Sequence, residues 1–311
     1  MRIVFMGTPD FAAETLRSLI AAGHEIVAVV TQPDKPKGRG KSVAISAVKE
    51  LAVKENIDVL QPIKIKQDEA FFEELSRIQP DCIVVAAFGQ ILPKHILDLP
   101  KFGCINVHAS LLPKYRGAAP IQWVVLNGEE EAGVTIMHMD VGCDTGDMII
   151  KDKLTLDPKE TGGSLHDKLA IMGGKLIVKA LEMIESGTAP REPQDDSQFT
   201  YFGMLKKEDG NIDFTKTAVV IERLIRGLNP WPSAYTTMDG KNLKLWAADV
   251  IDGPTKGEPG EIIEVTKSTL VVQTGEGYLS ITELQLEGKK RMPVNSFLLG
   301  YDVIPGTKLG E

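Results

Sequence analysis

A chain of 311 residues, 43% hydrophobic and 25% charged, is long enough for two domains and a sizeable buried core. Its net charge of -8 excludes a global basic field, so any nucleic-acid partner needs a local basic patch. Its three cysteines, Cys82, Cys104 and Cys143, form no CxxC pair, which argues against a disulfide framework or a zinc knuckle; the N-terminus enters a strand at once, no apolar run reaches transmembrane length, and a cytoplasmic protein is expected.

Arg2 to Met6 reads as a buried strand, and Gly7-Thr8-Pro9-Asp10 as a turn in which Asp10 caps a helix running to about Ala22. Glu25 to Thr31 is a second buried strand, so the chain opens with a βαβ unit and hence a parallel sheet. Gly7 invites a dinucleotide reading, but the GxGxxG pattern is absent. Gln32 to Ser42, QPDKPKGRGKS, carries four basic residues, Lys35, Lys37, Arg39 and Lys41, against Asp34; it is either a solvated loop or one that contacts phosphate. Val43–Glu55 and Asp68–Ile78 read as helices with a short strand, Asp58 to Leu60, between them. Asp81 to Ala87 is a continuous apolar run, as a central parallel strand should be, and Phe88-Gly89-Gln90-Ile91-Leu92 follows at its carboxyl end, where open α/β sheets bind ligands.

Cys104 to His108 reads as a strand whose alternation puts Asn106 and His108 on one face; Pro113 and Gly117 punctuate the loop that follows. A strand from about Val134 to Met139 ends in the Gly- and Asp-rich run 140–147, and Met148 to Leu156 is a further strand. Ser164 to Ser186 is a long helix closed by Gly187. Thr188 to Tyr201 is polar, with two prolines and no apolar period, and reads as a linker. From Lys206 on, a helix over about 217–227 precedes Asn229-Pro230-Trp231-Pro232 and five short strands, which suggest a small antiparallel barrel, OB-like among the options. Basic clusters at Lys206-Lys207, Arg223 with Arg226, and Lys289-Lys290-Arg291 could track a phosphate backbone.

If the strands ending near His108 and Met139 are neighbours, an amide, an imidazole and a carboxylate converge. That set suits acyl or formyl transfer, with a donor for a developing oxyanion, a base for an amine, and a carboxylate to orient the base. Spacing alone leaves Asp140, Asp144 and Asp147 as equal candidates for the carboxylate. His138, two residues before Asp140, is a weaker functional candidate than His108. There is no HxxxH, HxH or cysteine cluster for a metal, and Ser110 lacks the GxSxG elbow of a serine nucleophile.

The runs MGTPDFA, TQPDKPKGRGK, VVAAFGQILP, GCINVHASLLPKYRGAAPIQW, GVTIMHMDVGCDTGDM and NPWP, in this order and spacing, resemble the folate-dependent formyltransferases over essentially the whole chain, and within them the methionyl-tRNA formyltransferase family. The resemblance implies an α/β fold, with a Rossmann-like catalytic domain over 1–187, a linker over 188–205 and a C-terminal OB-like tRNA-binding domain over 206–311. It implies 10-formyltetrahydrofolate as co-substrate, no metal, and methionyl initiator tRNA as acceptor. Carried over by position, Asn106, His108 and Asp144 are catalytic; Ser110, Leu111, Leu112 and Pro113 match the folate-binding stretch; Phe88, Gln90 and Leu92 line the pterin pocket, largely through backbone. Lys35, Lys37, Arg39 and Lys41 match the loop that meets the acceptor end of the tRNA. The competing readings are a formyltransferase for a small amine (a nucleotide sugar or glycinamide ribonucleotide), a tRNA-binding scaffold with a dead catalytic domain, and an NAD oxidoreductase.

Overall fold

The computed structural model describes residues 1–36 and 43–311, which divide into two compact units. The first takes in Met1–Pro120, Glu131–Thr155 and His166–Phe202; the second takes in Ile121–Glu130, Leu156–Leu165 and Gly203–Glu311.

In the first unit, runs of Val, Ile and Ala that are apolar on both faces make strands buried on both faces. These are β1 (Arg2–Gly7), β2 (Glu25–Val30), β3 (Val59–Leu60), β4 (Cys82–Ala86) and β5 (Cys104–His108). They are parallel and lie in the order β3-β2-β1-β4-β5, that of an open doubly wound sheet. Two antiparallel strands, β6 (Glu131–His138) and β7 (Met148–Thr155), extend the sheet beyond β5. Helices α1 (Asp10–Ala21), α2 (Ala47–Lys54), α3 (Glu69–Ile78) and α4 (Lys94–Leu97) connect the parallel strands. The long helix α6 (Gly162–Glu185) follows the short α5 (Pro120–Leu126) and the β6–β7 hairpin. It passes close to the sheet because a Cβ on Gly173 would stand 2.9 Å from Val107 Cγ1, and one on Gly174 would meet the Ser18 hydroxyl.

Two helix starts differ from the sequence reading. Pro9, not Asp10, is the N-cap of α1, and it makes no side-chain cap bond. The second helix begins at Ala47, not Val43, because the Ser46 hydroxyl accepts the Lys49 N–H at 3.1 Å and so caps it there, while 43–44 are extended. The polar stretch 188–202 lies with the first unit: Glu192 bridges Met148 antiparallel, and Tyr201–Phe202 pairs in parallel with Arg116–Gly117.

The second unit is an antiparallel sheet with helices packed against it. Its strands β8 (Ala234–Met238), β9 (Lys241–Ile251), β10 (Ile262–Val265), β11 (Leu270–Gln273) and β12 (Tyr278–Leu286) run in the order β8-β9-β12-β11-β10, and Met292–Pro293 pairs with β12. Helix α7 (Ala218–Gly227), capped by Thr217, and α8 (Val294–Leu298) bury Ile221, Ile225 and Phe297 among the inward residues Leu243, Leu245, Leu279 and Ile281. Among the described residues β8 and β10 are not paired with each other. The segment 306–310 instead bonds both: the Gly306 N–H donates to the Ile262 carbonyl at 2.8 Å, and the Gly310 N–H to the Thr237 carbonyl at 2.9 Å.

Candidate active site

The carboxyl end of β5 carries the site. Asn106 lies opposite Met137 and His108 opposite Thr135 in the antiparallel register with β6, so both side chains share one face of the sheet. Both are buried, Asn106 to 8% and His108 to 6% exposure. Among the described residues the Asn106 carboxamide makes no hydrogen bond, which is unusual for a polar group so nearly covered.

His108 is oriented by the backbone. Its Nε2 lies 2.9 Å from the Tyr115 carbonyl, which can only accept, so Nε2 carries the proton and Nδ1 is the basic nitrogen of the neutral ring. Nδ1 stands 3.7 Å from Asp144 Oδ1, close enough for an ion pair but beyond a hydrogen bond. The orienting bond expected from a carboxylate is therefore made by Tyr115, which has the left-handed φ of 60°.

The three aspartates point in different directions. Asp140 Oδ1 accepts from the Gly142 N–H at 3.0 Å and the Thr145 hydroxyl at 2.6 Å, and so caps its own turn. Asp147 faces Arg191 at 3.6 Å. Asp144 alone turns toward His108, with Oδ2 accepting the Gly117 N–H at 2.9 Å. Asp144 takes a φ of 55°, tolerable for Asp but still strained. Gly117 has a φ of 96° and lies against the Phe202 carbonyl, so no side chain fits there. The Cys143 thiol lies 3.6 Å from Asp144 Oδ2; burial and that carboxylate push it up.

The loop leaving β5 is fastened to β6. The Thr135 hydroxyl, fully buried, donates to the Ser110 carbonyl at 2.7 Å and accepts the Leu112 N–H at 3.2 Å. Ser110 Oγ donates to the Lys114 carbonyl at 2.8 Å, and Leu112 packs with Met137 and Met148 before a cis bond to Pro113. Leu111 covers Gly133. On the other side, Phe88 and Leu92 sit in a core cluster with Leu97 and Cys104, and Met139 packs against it. Gln90 is held by the Ile65 N–H at 2.9 Å and donates to the Pro62 carbonyl. The side chains of Phe88, Gln90 and Leu92 are thus absorbed in the fold, and the Phe88 carbonyl accepts from the Thr8 hydroxyl at 3.3 Å and from Gln32 Nε2 at 3.1 Å. A cleft of about 690 Å³ lies at the amino end of β5, walled by Leu97, Phe102, Cys104, His138, Met139 and Val141; Asn106, His108 and Asp144 do not line it.

Of the basic loop, Lys35 is exposed and stands opposite Ala44 in a two-residue ladder. Lys37, Arg39 and Lys41 lie outside the described residues. Asp34, the one acid of that loop, is engaged by Lys49 at 2.5 Å and Gln61 at 2.8 Å, and these bonds lower its carboxyl from the ordinary value. Two residues that the sequence reading did not single out join the site. Arg116 is buried, stacks on Phe199 and pairs with Asp196 at 2.7 Å; its Nε donates to Gln194 Oε1 at 3.0 Å. Arg116 belongs to a recognisable YRG run, whereas Gln194 sits in a polar stretch without periodicity and carried no signal.

Two family models match the chain: formyl transferase over residues 1–181, and formyl transferase, C-terminal domain, over 204–302. Methionyl-tRNA formyltransferase of Agathobacter rectalis is 59% identical over 307 residues, 99% of each chain. That of Geobacter sulfurreducens is 53% identical over 311 residues, 100% of this chain and 97% of the relative. Among solved structures, an N-formyltransferase from Helicobacter canadensis in complex with folinic acid and dTDP-3-aminofucose shares the fold at TM-score 0.67 and 20% identity, covering 93% of this chain and 99% of its own. HypX from Aquifex aeolicus in complex with tetrahydrofolic acid shares it at TM-score 0.63 and 19% identity, over 96% of this chain and 47% of its own. With full-length relatives at this identity and both domain models matched, the chain belongs to the methionyl-tRNA formyltransferase family of folate-dependent formyltransferases.

Proposed function

We propose that the chain transfers the formyl group of 10-formyltetrahydrofolate to the α-amine of methionyl initiator tRNA, in the cytoplasm. The observation that carries this reading is the face of β5: an unengaged amide, an imidazole with a fixed tautomer, and one carboxylate of three turned toward it. When bound, the folate supplies an activated formyl group on N10. Asn106 donates its amide N–H to the formyl oxygen as that oxygen gains charge. His108 Nδ1 accepts the proton of the attacking amine, directly or through a water, and as imidazolium becomes a second donor. Asp144 lies where the imidazolium charge forms, and it would take the proton from His108 Nδ1 and hand it to N10 as the bond from the formyl carbon to N10 breaks.

A folate fits the residues present. We assign the stretch with Phe88, Gln90 and Leu92 on one side, and Ser110, Leu111, Leu112 and Pro113 on the other, to holding the folate. Lys35, Lys37, Arg39 and Lys41, with Asp34 neutralised by Lys49, are assigned to the acceptor arm of the tRNA. We read the second unit as an OB-like barrel closed by 306–310, and 206–311 as the tRNA-binding domain, with 1–187 catalytic and 188–205 between them.

The test is formyl transfer from 10-formyltetrahydrofolate to methionyl initiator tRNA by the whole chain, run beside His108→Ala. Transfer by the unaltered chain, with kcat lost in the variant, supports the reading. Folate binding without transfer to the tRNA sinks it and favours a small amine acceptor, such as the aminosugar nucleotide named with the Helicobacter canadensis structure.

A further inference from the structure

The 140–147 loop places Asp144, yet its own bonds do not explain why the strained residue holds its position. Asp140 caps the start of the turn, and the Asp144 carboxylate reaches Gly117, but the backbone at Asp144 has φ 55°, a conformation that persists only where the surroundings over-determine it. The surroundings are supplied by Gln194. Its Nε2 donates to the Asp144 carbonyl at 2.8 Å and to the Gly146 carbonyl at 2.9 Å, so both amide hydrogens are spent on this loop. Its Oε1 accepts from Arg116 Nε at 3.0 Å. Since a guanidinium only donates, Arg116 fixes which end of the amide faces the loop. Arg116 is itself immobilised, buried, paired with Asp196 and stacked on Phe199.

We propose that Gln194 is a positioning residue for the formyl transfer: its amide clamps the backbone of the Asp144 loop from a strap braced by Arg116, and so holds the Asp144 carboxylate against Gly117 and beside His108. The inference rests on Asp144 acting as proposed above. Only an amide of this length serves. A glutamate keeps the Arg116 bond but turns an acceptor toward two carbonyl oxygens, so it breaks the clamp and spares the brace.

The chain carries its own reporter. Cys82 and Cys104 are buried and burial pushes both thiols well up, whereas Cys143 is exposed and held near Asp144. Release of the loop frees the Cys143 thiol from that carboxylate and speeds its alkylation. The experiment compares the whole chain with Gln194→Glu, using Gln198→Glu as a charge-matched change at an exposed position of the same strap. It measures iodoacetamide reaction at Cys143 without substrates, and kcat and KM with both substrates. Gln194→Glu is expected to raise the alkylation rate several-fold and to lower kcat about tenfold to a hundredfold, the scale on which a misplacement of about 1 Å is felt, with both KM values little changed. Gln198→Glu is expected to match the unaltered chain in both assays. Unchanged kcat in Gln194→Glu, or lowered kcat with unchanged Cys143 reactivity, overturns the proposal. If the unaltered chain fails to formylate methionyl-tRNA while Gln194→Glu still speeds alkylation, the acceptor reading fails and the clamp stands, and kcat is then read with a small amine acceptor. Should Gln194→Glu not fold, Gln194→Met, of the same reach and uncharged, is read in the same assays.

Discussion

Asn106 is nearly covered by protein and makes no side-chain hydrogen bond among the described residues; in the proposed reading its donor serves an oxygen that becomes charged during the reaction. Losing one such donor costs about 2.7–4 kcal/mol of transition-state stabilisation, so Asn106→Ala should lower kcat by roughly a hundredfold or more. Its thermal midpoint should not fall, because no bond of the folded state is broken; steady-state kinetics beside a melting curve checks both. His138 has the opposite character. Burial, with the Arg191 cation nearby, pushes its imidazole from 6.5 down to about 4. Above the higher value the ring is neutral in both folded and unfolded chains. As the pH falls from about 6.5 toward 4 the unfolded chain takes up a proton that the folded one refuses, and stability drops through that window. His138→Gln should therefore lose less of its melting temperature between about pH 7 and pH 5. The pairing of Asn106 with His108 was legible in the sequence because a strand alternates strictly. Spacing alone did not separate Asp144 from Asp140 and Asp147, because which carboxylate the turn itself consumes is decided by hydrogen bonds across two to five residues; Asp144 came from the resemblance and is kept in the proposed reading.

At the level of elements, boundaries follow from caps. Asp68 Oδ1 accepts the Phe71 N–H at 2.9 Å and starts the amphipathic α3, whose Phe71 and Leu75 are buried in the sheet's core cluster. Asp68→Ala should cost about 1 kcal/mol, seen as a lower midpoint in denaturant with the slope unchanged. The β strands were read correctly in kind because apolar runs bounded by Gly, Pro and Asp leave few alternatives. The start of α2 was misread because Val43 and Ala44 fit either state, and Ser46 decides the matter through one hydroxyl. The stretch 188–202 looked like a linker since nothing in it is apolar and periodic. Its fastening is by Gln194, Asp196 and Thr200 to residues some 80 positions earlier, a kind of contact that local patterns do not announce.

For the whole molecule the charge is acidic, so affinity for an RNA acceptor must come from a few places. In the proposed reading Arg39 is one of them. Arg39→Ala should raise KM for methionyl initiator tRNA and reduce the dependence of log KM on log salt by roughly one unit, with little change in KM for the folate; titration across several salt concentrations checks it. The antiparallel strands of the second unit were legible from the change in strand spacing after Lys206. The return of 306–310 to both edges of the second sheet was not, because those residues carry no strand pattern of their own.

The first sheet ends, on one side, in β3, two residues long and followed at once by Gln61 and Pro62. On the other it ends in β7, where Lys151, Asp152 and Lys153 stand exposed in succession. A sheet of seven strands, most of them Val- and Ile-rich, is a template on which a second chain could grow. One border is too short to copy and the other repels a flat apolar partner. Concentrated or newly made protein is thereby kept from joining edge to edge, and the charges of β7 matter for whether the chain stays dispersed.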